Sequence, residues 1–269
     1  MSFDDLTHSL RYHWPEYVIE GTLLGLFMVS AAVFTTIFEY PGSPLHQAIQ
    51  EPVIRRVLIG VAMGLTAVAL IYSPWGQQSG AHMNPAVTLS FLRLGKIDPW
   101  DAVFYIISQF IGGTIGVVLM VVLLGQWFEL PPVSYVATVP GEDGTNVALL
   151  VEVMMSFGMM MMVLFVSNSR SWNKYTGMFA GLVVATYISV LAPYSGMSIN
   201  PARTFASAAP GDIWTSFWIY LVGPPLGMLV AAQIFYALNG RQEPLCAKLN
   251  HSTHKRCIFR CNFSVVDVP

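Results

Sequence analysis

Apolar residues collect into six long runs along the chain, at 18–38, 54–73, 102–125, 147–167, 177–193 and 215–238. Each is close to the ~20 residues a helix needs to cross a hydrocarbon layer about 30 Å thick. The stretches between them carry the Pro, Gly, Asp and Lys punctuation of loops, clearest in "YPGSPLHQ", "QWFELPPVSYVATVPGEDGTN" and "SNSRSWNK". Two further apolar runs are too short to span, "AVTLSFLRLG" and "ARTFASAA", and each follows an Asn-Pro pair. Asn is a good N-cap, and Pro is favoured at the first helical position, where its missing N–H costs nothing. The pattern predicts an all-α membrane protein with six transmembrane helices and two re-entrant half-helices. The expected layout is a polar N-terminal segment at 1–17, a membrane domain at 18–240 and a polar tail at 241–269.

The chain also repeats itself. "SGAHMNPAVT" at 79–88 and "SGMSINPART" at 195–204 share the triplets Asn84-Pro85-Ala86 and Asn200-Pro201-Ala202. Ahead of them, Gly60 and Gly64 match Gly177 and Gly181; behind them, Gly112 and Gly116 match Gly223 and Gly227. Glu20 and Glu152 correspond in the first span of each half. Repeat 1 covers about 18–125 and repeat 2 about 147–238. Three spans per half mean that the second half enters from the opposite side, which makes the repeat inverted. The two dipping loops then meet near the midplane, where non-helical backbone is tolerated only if protein buries it or it lines a wet cavity. The small-residue pairs read as packing, because small side chains let helices approach closely in lipid.

Composition strengthens the membrane assignment. The chain is 54% hydrophobic and 10% charged, against about 25% charged in ordinary soluble domains. A net charge of −2 gives no reason to expect a nucleic-acid partner. Of the 13 lysines and arginines, only Arg55, Arg56 and Arg203 fall on the face opposite the termini. The positive-inside rule therefore predicts cytoplasmic termini. The spans carry no catalytic signature such as GxSxG or HExxH, so no enzyme is expected. A secondary transporter also uses inverted repeats and broken helices, but it usually needs titratable groups at the midplane, and only Glu20 and Glu152 are candidates. A non-conducting structural protein is the other alternative.

These features together resemble the aquaporin (major intrinsic protein) family over roughly residues 16–240. The resemblance rests on the doubled Asn-Pro-Ala motif, "NPAR" in the second half, Glu20, Glu152, Gln109 and Gly223-Pro224. It implies a homotetramer in the cell membrane with one pore per subunit, passing water or small neutral solutes and needing no cofactor. Two half-helix N-termini, each worth about half a positive charge, would repel cations at the pore centre. Side-chain amides of Asn84 and Asn200 would donate to a passing water, and carbonyls around 195–199 would accept hydrogen bonds in a row.

The same resemblance puts Met63, Ile188, Met197 and Arg203 at the constriction. Strict water channels of the family carry an aromatic and a histidine there, so this lining is more apolar. Thr204 and Tyr220 follow the water-channel pattern and Leu221 the glycerol-channel one. Water conduction is expected, with glycerol or other small uncharged solutes beside it. Glu20 and Glu152 are read as support for the dipping loops, with a proton relay as the alternative. His82 either lines the cytoplasmic mouth or anchors its loop.

Two features stand apart. The run Met159–Met162 suggests a metal path or flexible packing; consecutive residues point all round a helix, which favours packing. The tail holds all three cysteines, Cys246, Cys257 and Cys261, so no disulfide is expected in the core. His251, His254, Cys257 and Cys261 are soft ligands for zinc or iron, but their spacing matches no standard finger and the tail offers little scaffold. Contact of its basic residues with anionic lipid, or acylation of its cysteines, is the competing reading.

Overall fold

The computed structural model describes residues 3–169, 171–251 and 254–263. Residues 1–2, 252–253 and 264–269 of the two expected terminal segments, and Arg170 in the "SNSRSWNK" loop, lie outside this description. All regular structure among the described residues is helical, in the order α1 (Phe3–Glu39), α2 (Pro44–Ala48), α3 (Pro52–Tyr72), α4 (Pro74–Ser79), α5 (Pro85–Arg93), α6 (Pro99–Leu124), α7 (Gln126–Glu129), α8 (Gly144–Ser167), α9 (Thr176–Ser195), α10 (Pro201–Gly211) and α11 (Trp218–Leu238). Short 3-10 turns sit at Ser134–Val136 and Asn173–Tyr175. Six helices are long and apolar enough to cross a membrane, namely α1, α3, α6, α8, α9 and α11. They coincide with the six apolar runs to within a few residues, except at the first.

There the helix does not begin at residue 18. It starts at Phe3, with Asp4 and Asp5 in its first turn, and runs through Pro15. Acidic side chains suit the positive end of the helix dipole, and backbone hydrogen bonding does not require apolar side chains. The polar segment is therefore helical rather than a separate arm.

The half-helices start where the Asn-Pro pairs predict. Asn84 Oδ1 accepts from Ala86 N at 2.9 Å at the head of α5. Asn200 Oδ1 accepts from Ala202 N and Arg203 N at 3.1 and 3.2 Å at the head of α10. Each proline follows at the first helical position.

The repeated glycines fix which helices touch. The main contacts pair α1 with α6, α8 with α11, and α3 with α9. The last pair crosses between repeats. A Cβ on Gly64 of α3 would lie 2.5 Å from the carbonyl oxygen of Gly181, and one on Gly181 would lie 2.6 Å from that of Gly64. Matching positions of the two halves thus pack backbone against backbone. Burial gives no driving force between helices in lipid, so such close approach supplies the dispersion contacts that hold them. Gly64→Leu should therefore cost roughly 1–3 kcal/mol through overpacking, read as a lower Tm of the solubilised protein. Leu65→Ala, next in sequence but 64% exposed, should leave Tm nearly unchanged.

Candidate functional site

The two dipping loops share one geometry built on the repeated stretch. Gly80 and Gly196 are left-handed, at φ 96° and 74°, four residues before their asparagines. Ala81 and Met83 in the first loop have φ of 56° and 49°, and Met197 and Ile199 in the second have 52° and 48°. Left-handed φ is uncommon outside glycine and costs of order 1–3 kcal/mol per residue unless its surroundings hold it.

A buried carboxylate holds each loop. Glu20 accepts from Ser79 Oγ at 2.8 Å, His82 N at 3.0 Å and Met83 N at 2.7 Å. Glu152 accepts from Ser195 Oγ at 2.8 Å, Ser198 N at 2.8 Å and Ile199 N at 2.7 Å. The correspondence extends to the tyrosines of α6 and α11. Tyr105 Oη donates to Ser79 O and Tyr220 Oη to Ser195 O, both at 2.7 Å. Gln109 Nε2 adds a bond to Glu20 at 3.0 Å in the first half only. All three oxygen-rich side chains, Glu20, Glu152 and Gln109, are fully buried.

The loop tips then lock onto each other. Asn84 Nδ2 donates to Ile199 O, and Asn200 Nδ2 donates to Met83 O, both at 2.7 Å. Each amide has two N–H donors; one is spent on the opposing loop, which leaves the other to face the cavity. Ser195 O and Ile199 O are likewise occupied, by Tyr220 and Asn84. Two of the carbonyls expected to face water between 195 and 199 thus already accept one bond each and keep a second lone pair.

A cavity of about 460 Å³ runs past these tips. Asn84, Asn200, His82, Met63, Ile188, Met197 and Arg203 all line it. The four residues expected at the constriction are thus all among its lining residues. Met63 is buried, and its Sδ accepts a long bond from Ser30 Oγ at 3.8 Å. Arg203 Nη1 is buried without a hydrogen-bond partner in the protein. Most other lining groups are apolar, from Leu24, Phe27 and Ala31 of α1 to Val184 and Ala192 of α9. Pro85, Ala86, Pro201 and Ala202 are buried at the half-helix starts. Met159 lines the cavity while Met160 is packed in the core, and Met161 and Met162 are half-buried; the run spreads around α8 as packing would.

His82 does not stand free at the mouth. Its ring is 3% exposed, with Nδ1 3.1 Å from Thr88 Oγ1 and Nε2 2.8 Å from Ala247 O. The second contact shows where sequence reasoning failed, because Ala247 belongs to the tail. Residues 246–249 are buried against the terminal side of the membrane domain, and Leu249 lines the cavity. Lys248 Nζ donates to Gln77 O at 2.8 Å and to Arg256 O at 2.6 Å. Lys96 is equally buried, with Nζ 3.1 Å from Glu243 Oε2. Neither lysine is free for lipid. Burial lowers the Lys248 ammonium from its usual range, and the nearby thiols oppose that shift.

The tail cluster also differs from the expected set. His251, Cys257 and Cys261 do come together, but Cys246 completes the group and His254 is exposed outside it. Folding the tail back on itself, with Asn262 N donating to Leu245 O at 2.8 Å, puts Cys246 beside residues far along the chain. Cys246 is buried within this fold, out of reach of acylation. Sequence reasoning also left out Ser79 and Ser195, although their matched positions in the two repeated stretches were a usable signal. For Val136 and Leu249, which line the cavity, no local signal exists.

Comparison with known proteins gives a consistent picture. The model of the family described as major intrinsic protein matches residues 14–235. A Nicotiana alata protein described as a probable aquaporin NIP-type is 34% identical over 190 residues, covering 70% of this chain and 67% of that one. Aquaporin NIP2-2 of Zea mays is 35% identical over 215 residues, covering 79% and 70%. Among solved structures, the aquaglyceroporin from Plasmodium falciparum superposes with a TM-score of 0.66 at 20% identity, covering 82% of this chain and 94% of that one. That last likeness concerns the fold.

The matched carboxylate networks generate a paired prediction. Glu152→Gln keeps the size but turns an NH2 toward one loop N–H, leaving a buried donor unsatisfied at a cost of about 1–3 kcal/mol. Glu20→Gln should cost a comparable amount, and Ser79→Ala and Ser195→Ala about 1 kcal/mol each. Thermal unfolding of the four variants checks this; a carboxylate variant as stable as wild type would contradict a loop-holding role.

Proposed function

The chain belongs to the major intrinsic protein family, and on that premise we propose how its pore selects what passes. The protein is a multi-pass membrane protein and a passive channel of the kind that conducts water and small solutes. We infer that this chain passes water together with small uncharged solutes such as glycerol, and rejects protons and ions. One observation carries the reading: two Asn-capped half-helix starts meet tip to tip beside a continuous lined cavity.

The physics of that meeting point is selective. Each half-helix presents about half a positive charge at its N-terminus, and the two point at the same spot. A cation there is repelled. A water molecule turns its oxygen toward the free amide N–H of Asn84 and Asn200, and so donates outward on both sides. A hydrogen-bonded chain that reverses at its centre cannot relay a proton. Arg203 adds a fixed charge and an unpartnered donor, Nη1, in the same cavity. Glu20 and Glu152 serve as loop supports in this reading. Their oxygens already accept several short bonds each, which leaves little capacity to relay protons.

The assigned filter, Met63, Ile188, Met197 and Arg203, is one donor with three apolar walls. A lining of this kind penalises the hydroxyl-poor face of glycerol less than a histidine-bearing one would. Both termini are assigned to the cytoplasm from the distribution of basic residues, and the assembly to a homotetramer in the cell membrane.

Stopped-flow light scattering on proteoliposomes tests the selectivity, with an impermeant osmolyte and then with glycerol. Fast shrinkage of low activation energy followed by fast glycerol re-swelling is expected. Ile188→His should slow the re-swelling several-fold and leave shrinkage fast. Arg203→Ala should raise proton leak without slowing water. Re-swelling no faster than in empty liposomes would restrict the pore to water, and solute flux driven by an ion gradient would replace the channel by a transporter.

A further inference from the structure

The tail carries a second site, which the pore chemistry does not use. Cys246 Sγ, His251 Nε2, Cys257 Sγ and Cys261 Sγ all lie within 4.8 Å of one another. Cys246 Sγ is 3.6 Å from Cys257 Sγ, and Cys261 Sγ is 3.1 Å from His251 Nε2. A tetrahedral zinc with Zn–S of about 2.3 Å and Zn–N of about 2.0–2.1 Å separates its ligands by about 3.8 Å for S···S and about 3.6 Å for S···N. The two closest spacings, 3.6 and 3.1 Å, lie within about 0.5 Å of those values, and the widest, up to 4.8 Å, closes by about 1 Å. A disulfide would need sulfurs about 2.05 Å apart and would join only two of the four groups. Three thiolates and an imidazole are soft, tetrahedral donors, which select zinc-class ions over hard oxygen-seeking cations.

The surroundings suit an ion as well. A divalent cation with three thiolates and a neutral imidazole bears a net single negative charge. Lys248, buried two residues from Cys246, holds its Nζ on Gln77 O and Arg256 O beside the cluster. The described residues between 244 and 262 form only turns, bends and irregular backbone, yet Cys246, Ala247, Lys248, Leu249 and Phe259 among them are buried. So short a stretch has too little apolar core to hold itself, and a structural metal is the usual remedy.

What the segment covers gives the site a purpose. Between its ligands, Ala247 O accepts from His82 Nε2 at 2.8 Å, and Leu249 N donates to Gly80 O at 3.1 Å. Phe259 stacks on the His82 ring at 5.4 Å between centroids and 16°. Leu249 reaches into the lined cavity beside the first dipping loop. The loops that carry the ligands are therefore the ones that touch the pore mouth.

We propose that Cys246, His251, Cys257 and Cys261 form a tetrahedral site for a zinc-class cation, and that filling it clamps the tail across the terminal-side mouth with Leu249 in the water path. The gating half rests on the channel reading above; the metal half does not. Releasing the ion frees the 246–261 loop, withdraws Leu249 and opens the pore on that side.

The test uses the full chain, purified with its thiols reduced. Cobalt titration should give the intense ligand-field and thiolate charge-transfer bands of a tetrahedral site, saturating at one ion per chain and displaced by zinc. Cys257→Ser with Cys261→Ser should abolish the bands, whereas His254→Ala should keep them. In proteoliposomes, water flux should rise several-fold when a membrane-permeant chelator strips the ion and fall again when zinc is restored, and the double variant should stay at the stripped rate in both conditions. Absence of the cobalt bands in the wild type, or their survival in the double variant, overturns the site. Stoichiometric binding with unchanged flux overturns the gate and leaves the site. Flux at the empty-liposome rate in every state removes the gate together with the channel reading, while the cobalt spectrum still decides the site.

Discussion

Two buried carboxylates carry the geometry on which the pore depends. Non-helical backbone at membrane depth has no water to satisfy it, and each orphan N–H is costly there. Glu20 and Glu152 answer this with one carboxylate per loop, each taking two backbone N–H groups and a serine hydroxyl. The left-handed residues Ala81, Met83, Met197 and Ile199 persist because these bonds fix them. With their backbones fixed, the loops present the asparagines to each other, and the amides finish the job by bonding across the midplane. Remove either carboxylate, and the tip of one half-helix loses its position relative to the other.

The inverted repeat explains why the arrangement is nearly symmetric and where it is not. Matched glycines bring α3 and α9 into backbone contact, so the two halves meet at equivalent positions. Symmetry breaks at equivalent positions of the two loops. The first has His82, which binds Thr88 and the tail; the second has Ser198, which bonds to Thr204. It breaks again at Arg203, whose counterpart in the first stretch is Val87. One end of the pore thus carries a charge, and the other an aromatic ring held by the tail. An otherwise even-handed scaffold gains two unlike mouths.

The tail changes how the terminal side works. Two of the lysines that mark this face as positive, Lys96 and Lys248, are buried and used as donors to carbonyls and a glutamate. Charge counting along the chain assigned them only to a face of the membrane, because a sequence does not reveal which lysine will find a set of carbonyls waiting. Arg256 reaches back to the Tyr12 carbonyl, so the tail meets the start of α1. The long α1, helical from Phe3, supplies that surface.

Much of this was legible in the chain itself. Lipid imposes a length on every span, so six apolar runs gave six helices with shifted ends. Asn-Pro pairs specify helix starts locally, so the starts of α5 and α10 were readable from the two repeated stretches alone. Duplication exposed Glu20, Glu152 and the packing glycines, since a matched residue in both halves has a reason in both. Tertiary structure decided whatever depends on residues distant in sequence. It gave the carbonyls of Ser195 and Ile199 donors from Tyr220 and Asn84, residues far away in sequence. It brought Cys246, rather than His254, beside His251, Cys257 and Cys261, because the tail folds back on Leu245. And it laid Leu249 against the cavity, through a bond to Gly80 that no local pattern of apolar and polar residues encodes.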